Sequence, residues 1–387
     1  MFGSYEFLQH YWWIIVSLLG ALFVFLTFVQ GGQTLLYQVA RTDTERDLVV
    51  NVLGRKWEFT FTTLVTFGGA FFAAFPLFYS TSFGGAYWVW LSVLLFFVIQ
   101  AVAYEFRRKP ANLLGARTYE MFLLLNGALG TILIGVAVGT FFNGAMFKLD
   151  EMNHVIWQTN LRGLEAALDF KRDAVNHELI PDNIHNIALG LAIFFLARIL
   201  GALYFINTVD DDEIERRSRK QVLYNAVPFL IFFLFFVIRL MLIEGFAVND
   251  SGGIENEPYK YWHNLVQMPL VALLFTAGVT GVLWGIGITW LRNSDKGIWF
   301  AGTGTILVVF SVFLLAGFNN TAFYPSRFDL QSSLTLQKAA SSKFTLTTMS
   351  YVSLAIPFVL AYIWWFWKVM TRDKITTEEI EDDPHAY

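Results

Sequence analysis

The chain contains no cysteine. Disulfides, Cys-ligated zinc, iron–sulfur clusters and covalently attached haem are excluded together. Charge is nearly as scarce, at 15% of the 387 residues. A soluble domain carries about 25%, and its water-facing surface needs that charge. No sizeable part of this chain is therefore expected to fold as a soluble domain. Lys and Arg are absent before Arg41, so the first apolar run, Tyr11–Val29, lacks the basic segment that opens a signal peptide. The run also exceeds the roughly 7–15 residues of a signal-peptide core and reads as a retained transmembrane helix. A net charge of only −4 points to no nucleic-acid partner.

What the chain does have is apolar length. Hydrophobic residues make up 56% and aromatics 18%, with forty Phe and thirteen Trp, a composition suited to lipid-facing helices and interfacial belts. A spanning helix needs about 20 mostly apolar residues. Nine segments qualify, at roughly 11–37, 59–79, 86–106, 119–143, 186–205, 222–243, 263–290, 298–319 and 347–367. The expected fold is thus all-α: one polytopic transmembrane helical domain over 1–387 that crosses the bilayer about nine times. Two longer breaks, Gly144–His185 and Asn320–Leu346, are polar enough for ordered extramembrane loops.

Orientation follows from Lys and Arg in alternate loops. One side holds eight: Lys148, Arg162, Lys171, Arg172, Lys260, Arg327, Lys338 and Lys343. With Arg198 and Arg239 set aside inside spans, the other seventeen of the 27 lie on the opposite side, in fewer residues. The N-terminus is expected outside and the C-terminus in the cytoplasm, the split that an odd number of spans requires. Within the spans, Gly127, Thr131, Gly135 and Gly139 line one helix face, as do Gly281 and Gly285. Such faces let two backbones approach closely in lipid.

Ionisable groups at membrane depth cost about 2.5–3.5 kcal/mol each at a helix centre, so those present are informative. Glu58 opens the second span and Glu105 closes the third, so both carboxylates sit at the cytoplasmic end. Thr62 and Thr66 follow Glu58 at spacings of four, one polar stripe up the helix. Gln33 and Gln100 reach similar depth. This set reads either as a proton entry path or as terminal acids that snorkel to water and pair with Arg55, Lys56, Arg107 or Arg108. Arg198 lies mid-span and Arg239 near the outer end of the sixth span. Glu244 follows Arg239 by five residues, too far round for an ideal helical pair. The histidines, His10, His154, His177, His185, His263 and His385, lie in loops, at helix ends or in the tail. No span carries a central His, the commonest haem ligand, and Met121, Met241 and Met268 would be only weak second ligands. No haem is expected on this chain.

Several segments in order resemble subunit II of cytochrome bd-type quinol oxidases. They are Tyr11–Trp12–Trp13, the Arg41–Thr42–Asp43–Thr44–Glu45–Arg46 loop, Trp57–Glu58, and the stretch from Gly68–Gly69 to Phe75–Pro76. The run from Phe323 to Met349, Trp367–Lys368 and Lys374–Ile375–Thr376 complete the set, which spans almost the whole chain and is specific only in combination. The resemblance implies a bacterial inner-membrane subunit of a complex that oxidises quinol and reduces O₂ to water. It implies haems b and d in a partner subunit I, and leaves open both small accessory subunits and a bound structural quinone or lipid. It also implies that Glu58 and Glu105 stand where relatives carry Asp on a cytoplasmic proton path. Departures occur at Gln30–Gly31–Gly32–Gln33, where relatives commonly have Asp-Gly-Phe-Asp, and at Gln100, where an arginine is usual. The competing class is a secondary transporter or channel, which would show discontinuous helices and a midplane polar site, often in inverted repeats; no convincing repeat is present. A purely structural partner subunit is the third reading. The Lys and Arg asymmetry is checked with reporter fusions: a fusion after Tyr387 is expected to read cytoplasmic and one within Gly144–His185 external, and the reverse pattern would overturn the orientation.

Overall fold

The computed structural model describes residues 3–109, 112–173, 176, 178–370 and 374–376. Among these, eight helices are long and apolar enough to cross a membrane. A ninth span is counted when Asp43–Ala74 and Pro76–Gly84, bent by 116° at their junction, are taken as one. In lipid every backbone polar group must be satisfied within the segment, which helices achieve without neighbours.

The first span runs Tyr5–Leu26 and continues as Phe28–Val39. At the break, the Thr27 hydroxyl donates to the Val24 carbonyl at 2.6 Å, a back-bond that bends helices. The short helix Asp43–Gly54 leads to the second span, Trp57–Ala74. The third is Tyr87–Phe106, and the fourth runs from Ala116–Leu125 through a π-helical turn at Asn126–Gly130 into Thr131–Asn143. The fifth is His185–Thr208, the sixth Asp212–Leu242, the seventh Pro269–Leu291 and the eighth Gly297–Gly317. The ninth comprises Lys343–Ser353 and Ile356–Met370.

Three expected boundaries are corrected, each beside a proline. The second span stops at Ala74 rather than 79, because Phe75 precedes Pro76 and is held at φ −133°, ψ 64°, outside the α region disfavoured before proline. The expected 263–290 span divides at Met268, with Pro269 opening the spanning helix and Lys260–Gln267 forming a separate short one. The expected 347–367 span is two helices, the second beginning one residue before Pro357.

The fifth span is the axis of the bundle, with nearly every residue from Leu196 to Ile206 buried. Small residues set its approach to its neighbours. A Cβ at Gly31 would strike the Ala197 carbonyl, and one at Gly201 the Gly32 amide. On the fourth span, Gly127 lies against the Gln30 carbonyl, Gly135 against Gly190 and Gly139 against Asn186. Gly281 and Gly285 fit against Gly304 and Ala301 of the eighth span. The small-residue faces are helix-crossing points, as their spacing implies.

One end of the bundle carries three antiparallel hairpins: Phe147–Leu149 with Val155–Trp157, Phe170–Arg172 with Leu179–Pro181, and Gly245–Val248 with Ile254–Glu257. Bridges from Ala145 to Ser326 and from Ala247 to Thr321 stitch the loops together. At this hairpin end Glu257 accepts from Lys260 at 2.9 Å and contacts His263 Nδ1 at 2.7 Å. Burial pushes the Glu257 carboxyl up, but the bonds to His263 and Lys260 outweigh it and hold the group below its ordinary value.

Two outcomes follow for stability. Gly31→Ala is expected to strip most of the chain from the membrane fraction, while Gly69→Ala, whose added methyl meets nothing within 4 Å, leaves it at wild-type level. Glu257→Gln is expected to lower the thermal midpoint at pH 7. A carboxyl depressed on folding stabilises above its unfolded pKa and loses that contribution as pH falls through the folded value, so the difference between the two proteins should shrink progressively as the pH is lowered below the ordinary Glu value of about 4.3. A constant offset across that range would contradict the assignment.

Candidate functional site

The end opposite the hairpins is rich in arginine and contains a buried ion cluster. Glu120, 3% exposed near the start of the fourth span, accepts from Arg107 Nη2 at 2.8 Å and Nε at 3.2 Å. Its other oxygen takes the Tyr37 hydroxyl at 2.6 Å, and Arg46 Nε stands 3.9 Å away. Arg107 Nη2 also reaches Asp47 at 2.7 Å. Two bases thus serve two acids at the junction of the first, third and fourth spans. The signal in the sequence was an acid one residue inside a predicted span, following the basic Arg107–Arg117 loop; Glu120 was missed because Glu58 and Glu105 drew attention to helix termini.

The adjacent loop motif is explained by capping. Thr42 accepts from the Glu45 amide at 3.1 Å, and Glu45 accepts in turn from the Thr42 and Arg41 amides, which is a capping box. Glu45 also binds Arg217 at 2.7 Å, tying this loop to the sixth span.

Glu58, Thr62, Thr66 and Glu105 are all exposed, on outward faces of the second and third spans. Neither carboxylate has an ion-pair partner among the described residues, and Arg107 is committed to Glu120 and Asp47 instead. The Thr66 hydroxyl donates to the Thr62 carbonyl at 2.7 Å. Gln33 and Gln100 do not join this stripe. Both are buried and belong to an inner set: Gln33 donates to the Tyr104 hydroxyl at 3.0 Å and Gln30 to the Gln100 side-chain oxygen Oε1 at 3.2 Å. Gln30 Oε1, Gln33 Oε1, Gln100 Nε2 and both polar side-chain atoms of Asn126 remain buried without a bonded partner among the described residues. Ordered water is the usual partner of such buried polar atoms.

Arg198 is 9% exposed and bonded only to neutral oxygens: Asn225 Oδ1 at 2.6 Å, the Thr34 carbonyl and hydroxyl at 3.1 and 3.0 Å, and Gln38 Oε1 at 2.6 Å. Arg239 is half-buried and has no hydrogen-bond or ion-pair partner among the described residues. Lys56, also buried, lies 4.4 Å from the Trp367 ring centroid, a cation–π contact that links the arginine end to the ninth span.

Among the described residues no group of three or more His, Cys, Asp or Glu side chains could hold a metal ion. His177 and His385 lie outside the described residues. A narrow cavity of about 70 Å³ between the first, fourth, fifth, sixth, seventh and eighth spans is lined by apolar side chains such as Val24, Leu196, Phe233 and Phe313.

The fold defines a polytopic helical membrane protein with polar residues at two ends, in a buried inner set and on one outward face. The family model described as cytochrome bd terminal oxidase subunit II matches residues 8–370. The chain belongs to that family and is a subunit of a bd-type terminal oxidase complex. It is 27% identical over 399 residues to "Cytochrome bd-I ubiquinol oxidase subunit 2" of Escherichia coli K12, covering 99% of each chain. It is 23% identical over 379 residues to "Cytochrome bd ubiquinol oxidase subunit 2" of Bacillus subtilis 168, covering 96% of this chain and 98% of that one. The solved bd oxidase of Geobacillus thermodenitrificans contains a chain of the same fold, with a TM-score of 0.53 at 11% identity, covering 94% of this chain and 99% of that one.

Removing one member of a buried pair leaves an uncompensated charge, at about 3–5 kcal/mol. Glu120→Gln is therefore expected to reduce the folded yield sharply, and a double exchange with Arg107→Gln to recover part of it. Equal yields for wild type and Glu120→Gln would show that the cluster contributes nothing to folding.

Proposed function

We propose that this chain is the haem-free subunit of a quinol-oxidising, O₂-reducing oxidase in the bacterial inner membrane, with the arginine end in the cytoplasm. It stabilises a haem-bearing subunit I and supplies a carboxylate-lined entry for protons. The haems b and d of the partner would carry the electrons and reduce O₂.

The observation that carries the proton role is the outward position of Glu58, Thr62, Thr66 and Glu105. A polar stripe on a lipid-facing helix is costly. Covered by a neighbouring subunit, the same stripe becomes one wall of a hydrated seam. Reduction of O₂ to water consumes four protons, and a carboxylate at the mouth of such a seam can take a proton from the cytoplasm and release it to water held along the hydroxyls. Glu58 acts first on this reading, and Glu105, close to the opposite end of its own helix, supports it at similar depth. The inner set of Gln30, Gln33 and Gln100 is neutral at any ordinary pH, so it orders water without itself exchanging a proton.

Glu58→Gln in the assembled complex is expected to slow quinol-driven O₂ reduction at least several-fold with haem content unchanged. Glu58→Asp should be nearly neutral, and Glu105→Gln should give a smaller loss. Wild-type turnover in Glu58→Gln would mean that protons enter elsewhere, and loss of haem or of assembly would make the residue structural.

A further inference from the structure

The second span starts without a side-chain cap. Its first helical residue is Trp57, and Lys56 before it makes no capping bond. The opening amides of a helix have no intrahelical partners, so an uncapped first turn is prone to fray. Glu58 sits in that turn, and side chains from other spans hold the turn in place. On one flank of Glu58, the Trp57 ring stacks on Tyr104 of the third span at 5.7 Å and 15°. Behind it, the Thr60 hydroxyl donates to the Leu26 carbonyl at 3.1 Å. The other flank is Phe59, about 100° round the helix from Glu58. Phe59 meets Phe366 and Trp367 of the ninth span, with ring centroids 6.3 and 6.1 Å apart. Lys56 closes the same side, its ammonium 4.4 Å from the Trp367 centroid and 5.8 Å from that of Phe59.

Trp367 is firmly seated for this contact. Its ring lies 6.4 Å from Phe25 and 5.7 Å from Phe28 on the first span. It also lies 6.5 Å from both Tyr204 on the fifth span and Trp299 on the eighth. Just beyond the helix, the buried Ile375 donates to the Thr208 carbonyl at 2.8 Å and accepts from the Asp210 amide at 3.0 Å. The middle of the ninth span offers no such support, since nearly every residue from Leu354 to Phe366 is exposed. Its cytoplasmic end is therefore fastened through Trp367 and the Ile375 bridge.

We infer that Trp367 is a positioning residue for Glu58. It clamps the Phe59 flank of the turn while Tyr104 clamps the Trp57 flank, so Glu58 projects outward between two fixed rings. Trp367 acts through the turn and takes no proton itself. The inference rests on the reading of Glu58 as the proton entry.

The test uses the assembled complex. Deuterium uptake over Lys56–Thr62 reads the clamp, and quinol-driven O₂ reduction reads its effect on Glu58. Trp367→Leu should raise that uptake and slow turnover several-fold, with haem content and the quinol KM unchanged. Trp367→Phe, which keeps a ring in the seat, should restore most of both. Added to Glu58→Gln, Trp367→Leu should slow turnover no further than Glu58→Gln alone, because the two act as one unit. Should Trp367→Leu fail to assemble, Phe59→Leu removes the other ring of the contact and supplies the same readouts. Unchanged uptake in the variant that assembles overturns the inference, as do losses that multiply in the double variant. Wild-type turnover in Trp367→Leu beside a slowed Glu58→Gln overturns it as well. Raised uptake beside wild-type turnover in Glu58→Gln would uphold the clamp and sink the proton-entry reading instead.

Discussion

The first and fifth spans cross without side chains between them, and most of the polar architecture depends on that contact. Gly31 lies against the Ala197 carbonyl and Gly32 against Gly201. Any larger residue would push the helices apart. The close approach brings Thr34 and Gln38 within reach of Arg198, so a charge carried by the fifth span is solvated by oxygens of the first. The same segment of the first span presents Gln30 and Gln33 to the third span on its other side. In lipid, tight packing takes the place of the hydrophobic drive between helices. Here that packing also fixes where the buried polar groups meet.

The polar residues then fall into sets with different physical duties. Arg107, Glu120, Tyr37, Asp47 and Arg46 neutralise one another at the arginine end. Arg198 rests among neutral dipoles. The amides of Gln30, Gln33, Gln100 and Asn126 keep unpaired atoms that water can satisfy. Glu58, Thr62, Thr66 and Glu105 differ from all of these in facing outward. A subunit that works against a neighbour is expected to leave its reactive groups on the shared surface and to bury those that only hold shape.

Much of the architecture was legible in the sequence because bilayer thickness imposes one length on every span and charge is too costly to leave inside. The nine segments, the glycine faces and the two ordered loops could be read for that reason. The helix ends at Ala74 and Met268 and the break before Ile356 were blurred, since apolar composition continues through a proline that stops the helix. The hairpins of three or four residues per strand left no periodic signal. Glu120 shows in the sequence only as an acid at the start of a span; its meaning lies in Arg107 and Tyr37, which only the packing of three spans brings to it. The motif residues proved largely architectural: Trp12 and Trp13 donate to the Leu346 and Phe313 carbonyls, and Phe71, Phe75 and Phe78 pack around Phe323 and Phe141.

The proposed role makes this chain a scaffold and proton entry whose redox centres lie in a partner. The most direct measurement is the visible absorption spectrum of the chain purified alone beside that of the complex purified through it. The isolated chain is expected to show no haem absorbance, and the complex both b- and d-type bands. Stoichiometric haem in the isolated chain would contradict it.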